Sequence, residues 1–131
     1  DKYNIGSIQN SNPYEFIISL HEKIMAVALK AKSSNDEGDK MKWMEQLLNV
    51  HKIIDIMKDS LNPEADEEFF ATLDGAFDKY GLFISELMSG KRDSTEIDKF
   101  IETVTVMRDG WRKINDKYHE EVSSKDNLEK I

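Results

Sequence analysis

The 131-residue chain contains no cysteine, which excludes a disulfide frame, a thiolate nucleophile and a zinc–thiolate centre. Such a composition suits a reducing compartment. Proline occurs only twice, at Pro13 and Pro63, each directly after an asparagine. Long stretches are therefore free of the residue that most strongly breaks helices. The six glycines are scattered singly, so no glycine-rich loop is available to cradle a phosphate. No serine sits in a Gly-x-Ser-x-Gly elbow. Positive charge is in deficit: 18 Lys and Arg stand against 26 Asp and Glu, a net charge of −8 with no basic cluster. That excludes the cationic footprint of a nucleic-acid partner. No apolar run approaches the ~20 residues that span a bilayer, and Asp1-Lys2-Tyr3 does not read as the start of a signal peptide. The three histidines, His21, His51 and His119, follow Ile18, Leu48 and Asp116 at three residues' distance. The Glu-x-x-His pairs of a di-iron bundle are thus missing, no cofactor or metal is expected, and nothing argues for an enzyme.

What is present is helical periodicity. Ile97, Phe100, Val104, Met107, Trp111, Ile114 and Tyr118 alternate steps of three and four, an unbroken apolar seam along one helix face. Asp93 or Ser94 can cap its start. A seam of this kind needs helical partners, and the rest of the chain supplies three. The first opens at Asn12-Pro13, an N-cap followed by proline at N1, with Glu15 at capping-box distance. Its expected seam is Ile17, Leu20, Ile24, Val27 and Ala31, and Ser33 to Gly38 is a polar break. The second is expected from Asp39 to Ser60 with a seam of Met44, Leu47, Val50, Ile54, Met57 and Leu61. The third runs from Pro63 to Met88 with Phe69, Leu73, Phe77, Tyr80, Ile84 and Leu87, and Ser89-Gly90-Lys91-Arg92 stops it. Glu64, Asp66, Glu67 and Glu68 read as a solvated first turn beside the positive end of the helix dipole.

The fold class expected is therefore all-α: one domain over residues 1–131, an antiparallel up-down-up-down four-helix bundle with a short N-terminal arm or helix. Residues 1–11 form the arm, 12–122 the bundle, and 123–131, where periodicity fades, a frayed tail. His21 and His51 lie near apolar seams and read as hydrogen-bonded structural residues.

Apolar residues also lie off the seams: Ile18, Met25, Trp43, Ile53, Ile56, Phe70, Phe83 and Val106. One account is a wide core, because globular helices often carry an apolar face of about 100° or more. The other is a groove that accepts amphipathic helices from a partner. The six methionines suit the second account, since a flexible thioether adapts to varied surfaces.

An ordered set of short motifs resembles the FliS family of flagellar export chaperones. It comprises Tyr3 and Ile8 ahead of Asn12-Pro13-x-Glu15-Phe16-x3-Leu20-His21, then Ala31-Lys32, Gly38-Asp39 and Val50-His51-x-Ile53-Ile54. Ser60-Leu61-Asn62, Leu73-Asp74, Phe77-Asp78 and Arg108-x-x-Trp111 complete it. Departures include His21 where the family has Tyr, and acidic Asp66-Glu67 where it often has a glycine pair. The resemblance implies a non-enzymatic cytoplasmic chaperone that binds the disordered C-terminal segment of flagellin. Holding that segment would block early polymerisation and assist type III export, with the export machinery or a co-chaperone as further partners. Tyr3 and Ile8 would be the arm contacts, and Ile18, Met25, Trp43, Ile53, Ile56, Phe70, Phe83 and Val106 the partner-binding surface. A monomer or weak dimer is expected, without nucleic acid and without membrane insertion. The alternative reading is a self-associating structural or adaptor bundle with a different helical partner.

Overall fold

The computed structural model describes residues 12–60 and 67–129, with side chains described at 12–60 and 71–125. Four helices and one short turn follow in order: α1 (Pro13–Asp36), α2 (Lys40–Asp59), α3 (Glu67–Ser89), a 3₁₀ turn (Ser94–Glu96) and α4 (Ile97–Glu129). They form the antiparallel four-helix bundle expected from the periodicity. The expected arm contacts Tyr3 and Ile8, and the Asn62-Pro63 helix start, lie outside the described residues.

Helix boundaries follow local chemistry. The Asn12 side chain caps α1 by accepting from the backbone N–H of Tyr14 at 3.0 Å and Glu15 at 3.2 Å. The α1–α2 turn reverses at Gly38, which takes φ 76°, a left-handed conformation that costs other residues strain. Around it Gly38 N–H donates to Asn35 O at 3.0 Å and Asp39 N–H to Ser34 O at 2.9 Å, which satisfies the last carbonyls of α1. Asp39 then caps α2 by accepting from Lys42 N–H at 3.1 Å. Gly90, at φ 78°, ends α3 in the same way. Asp93 and Glu96 form a reciprocal capping box ahead of α4.

The core rows are shifted from the expected ones on two helices. On α1, His21 and Ala28 are fully buried, while Leu20 and Val27 are only partly buried against the core. On α2, Trp43 takes the inner place and Met44 lies at the margin, 36% exposed. A step back of four from Leu47 and a step back of three both suit a helix, and the larger apolar side chain has gone inside. Ile18 and Ile53, expected on a partner-facing surface, are also core residues, at 8% and 7% exposure.

Ring contacts set the spacing of α3 and α4. Phe100 packs against Tyr80 at 5.9 Å and Phe83 at 5.6 Å between ring centroids, so bulky side chains rather than close backbones join these helices. Arg92 lies 3.9 Å from the centre of the Phe83 ring and pairs with Glu86 at 2.9 Å and Glu96 at 3.1 Å, clamping the α3–α4 connection. On the α1–α4 side, Tyr14 stacks on Trp111 at 6.1 Å and Glu22 pairs with Arg112 at 2.6 Å.

The α4 seam thins toward its end. Ile97, Phe100, Val104 and Trp111 are buried, Met107 is partly buried, and Ile114 is 44% exposed. The helix nonetheless continues to Glu129, so residues 123–129 are helical where a frayed tail was expected. Fading apolar periodicity marked the end of the core, whereas helix hydrogen bonds do not require a core on every turn.

Candidate partner-binding surface

Once the α2 row Trp43, Leu47, Val50, Ile54 and Met57 is turned inward, the next row must face the gap beside α3. That row begins with Met41, Met44 and Leu48, which are 86%, 36% and 45% exposed. Across the gap α3 presents Met88 between two small hydroxyl residues, Ser85 and Ser89. The result is an open depression of about 370 Å³ lined by Met44, Leu48, His51, Ser85, Met88 and Ser89. Serine on the α3 side leaves room that a larger side chain would fill.

The floor is apolar and one end is charged. His51 pairs with Asp55 at 3.2 Å. Farther along, Lys58 hydrogen bonds to Asp78 and lies 3.9 Å from Asp74. The bond to Asp78 holds the Lys58 ammonium above its ordinary pKa. A furrow with thioether and leucine walls and a polar end suits the i, i+3, i+4 apolar residues of an amphipathic helix. No group of three or more His, Asp or Glu residues among those described could hold a metal ion. The buried histidine, His21, is closed off by its bonds to Ile17 O at 2.8 Å and the Tyr80 hydroxyl at 2.9 Å.

The residues expected from the sequence to contact a partner are dispersed. Ile18, Trp43 and Ile53 are in the core. Met25 is half-buried against Thr105, whose hydroxyl lies 3.8 Å from its sulfur, and Ile56 is half-buried on α2. Phe83 is half-buried beneath Arg92. Val106, on α4, is 62% exposed. Tyr3, Ile8 and the Phe70 side chain lie outside the described residues. None of the described ones lines the furrow. Met44 read as a core position. The signal that could have found the furrow is the alternative phase of α2: placing Trp43 inside moves Met44 outward beside Leu48.

With this geometry in place, residues 1–118 match the family model for the flagellar protein FliS. The chain belongs to the FliS family. The match spans all four helices and stops within α4, so residues 119–129 of that helix lie beyond it. FliS proteins are flagellar chaperones, not enzymes, and that is the role the family gives this chain. No helix among the described residues is long and apolar enough to cross a membrane. No curated protein matches the chain in sequence, and no solved structure matches it.

Proposed function

We propose that this FliS-family protein is a cytoplasmic export chaperone that holds the C-terminal segment of flagellin. Occupying that segment prevents premature polymerisation and delivers the subunit to the flagellar type III export machinery, with or without a co-chaperone. The observation that carries the reading is the open furrow of Met44, Leu48 and Met88 on a chain of this family. A disordered client that folds into a helix on binding must recover its ordering cost from buried apolar area. Methionine-lined walls accept such a helix without demanding one side-chain shape.

Beyond the furrow, Met25, Ile56, Phe83 and Val106 are further proposed client contacts on other parts of the bundle, and Tyr3 and Ile8 are the arm contacts that the family resemblance implies. The test is calorimetric titration of the protein with a peptide spanning the flagellin C-terminal segment. Binding in the micromolar range or tighter is expected, with a negative heat-capacity change from apolar burial. Met44→Asp with Leu48→Asp should abolish it while the circular dichroism spectrum is unchanged. No binding by the unmodified protein at tens of micromolar, or undiminished binding by the double variant, would overturn the reading.

A further inference from the structure

With six methionines and no cysteine, the chain carries all its oxidisable sulfur as thioethers. The fold sorts them by access. Met57 is sealed in the core at 1% exposure. Met25 and Met107 are half-buried against the core, and the Met25 sulfur accepts from the Thr105 hydroxyl at 3.8 Å. The other three lie at or beside the furrow. Met44, 36% exposed, and half-buried Met88 stand on its α2 and α3 walls. Met41, three residues before Met44 and on the same side of α2, is 86% exposed and lies outside the lining. Leu48 is the one other aliphatic residue lining the furrow, so two of three aliphatic side chains there can change polarity without any change of sequence.

We infer that Met44 and Met88 form a reversible oxidation site that closes the furrow to apolar helices. The inference rests on the reading of the furrow as a helix-binding surface. The oxidant is a two-electron peroxide. The thioether lone pair attacks one peroxide oxygen, and the S–O bond forms as the O–O bond breaks. Sulfur gives up two electrons, and the departing hydroxide takes the proton of the attacked oxygen and leaves as water. The sulfoxide is polar where the thioether was apolar. With no helix bound its oxygen faces water, so the bundle keeps its core. Beneath an apolar helix face that oxygen is stripped of water and needs a donor.

Few donors are at hand. Ser89 gives its hydroxyl proton to Glu86 O at 3.3 Å. His51 Nδ1 lies 3.2 Å from the Asp55 carboxylate, which leaves Nε2 of the neutral ring an acceptor. The single Ser85 hydroxyl can satisfy only one of two sulfoxides. At least one oxygen is therefore buried unpaired, which should weaken helix binding about tenfold or more. A dithiol-dependent methionine sulfoxide reductase restores the thioether: two thiols become a disulfide and the oxygen leaves as water.

Hydrogen peroxide treatment of the full chain tests this. Peptide mass spectrometry reads the oxidation of each methionine, and circular dichroism reads the fold. Affinity is measured for a flagellin C-terminal peptide and for the apolar dye anilinonaphthalene sulfonate. Met41 should oxidise first, Met44 and Met88 next, and Met57 last. Peptide affinity should fall about tenfold or more in step with Met44 and Met88, not with Met41, on an unchanged fold. Methionine sulfoxide reductases with dithiothreitol should restore it. Met44→Leu with Met88→Leu sets its own starting affinity, which the same treatment should not alter although Met41 is oxidised. Undiminished peptide binding after oxidation, a loss that tracks Met41, or a leucine variant that loses affinity on treatment overturns the inference. So does Met57 oxidised as fast as Met44, which would mean that the bundle had opened. An untreated protein that binds the dye but not the peptide refutes the client reading alone. Release of the dye on oxidation of Met44 and Met88 then supports the oxidation site, and its retention overturns it. An untreated protein that binds neither probe overturns both.

Discussion

The His21 ring on α1 and the Tyr80 hydroxyl on α3 share a 2.9 Å hydrogen bond across the centre of the bundle. His21 is completely buried, and its other nitrogen lies 2.8 Å from the carbonyl oxygen of Ile17. A carbonyl only accepts, so Nδ1 carries the proton and Nε2 accepts from the phenol. Burial keeps the imidazole neutral, pushing its pKa below 6.5, while desolvation pushes the Tyr80 phenol well above its ordinary value. Each group thus satisfies a polar atom of the other that would otherwise be orphaned in an apolar core, and the bond fixes the register of α1 against α3.

Stability should therefore fall on acidification in a window set by His21. Above pH 6.5 the ring is neutral in both folded and unfolded chains and its contribution is complete. As pH falls below that value the unfolded chain takes up a proton that the folded one resists, so folding weakens until the folded pKa is reached. Urea midpoints measured between pH 7.5 and 5 should fall in the native protein. The slope should flatten in His21→Gln, apart from the contribution of carboxylates at the acid end.

Replacing Tyr80 by Phe removes the donor and leaves Nε2 of His21 buried without a partner. The expected cost is about 1–3 kcal/mol, the desolvation penalty of an unsatisfied buried polar atom. Chemical denaturation reads it directly. Combining Tyr80→Phe with His21→Leu should cost less than the two single changes summed, since both partners of one bond are then gone.

Helix number, caps and polar breaks were legible because each rests on local chemistry: Asn12, Gly38, Asp39, Gly90 and Asp93 all act within one turn of where they stand. The rotation of α1 and α2 was not. Steps of three and four alternate around a period of 3.6, so Leu20 and His21, or Met44 and Trp43, are both admissible inner residues. His21 goes inside because Tyr80, 59 residues away, supplies its partner. The furrow depends on that same rotation, and so its residues could not be separated from core residues by spacing alone. The continuation of α4 past residue 122 escaped for another reason: residues 123–125 are exposed, and apolar periodicity reports only what is buried.

Gly38 offers a test of backbone geometry free of packing. A Cβ at this position would meet nothing within 4 Å, yet the residue sits at φ 76°. Gly38→Ala should therefore lower stability by about 1–2 kcal/mol through left-handed strain alone. Gly38→Asn should recover part of the loss, because Asn tolerates that region. Thermal or urea unfolding measures both, and client affinity at saturating folded protein should be unchanged.

Trp43 and Met44 are adjacent in sequence and separate core from surface, so paired substitutions distinguish the two. Trp43 is 7% exposed at the N-terminal end of the α2 core row, and Trp43→Ala should cost about 3–5 kcal/mol by opening a cavity. Met44 and Leu48, at 36% and 45% exposure, border the furrow instead. Replacing both by Asp should change stability by only about 0.5 kcal/mol each, as is usual away from the core. The same pair should weaken capture of a flagellin C-terminal peptide by a hundredfold or more, because each carboxylate would be desolvated beneath an apolar helix face. Should Trp43→Ala prove mild, the inward rotation of α2 is wrong. Should the aspartate pair unfold the protein, Met44 and Leu48 belong to the core. A fold that survives while peptide affinity collapses is the result that places the docking surface between α2 and α3.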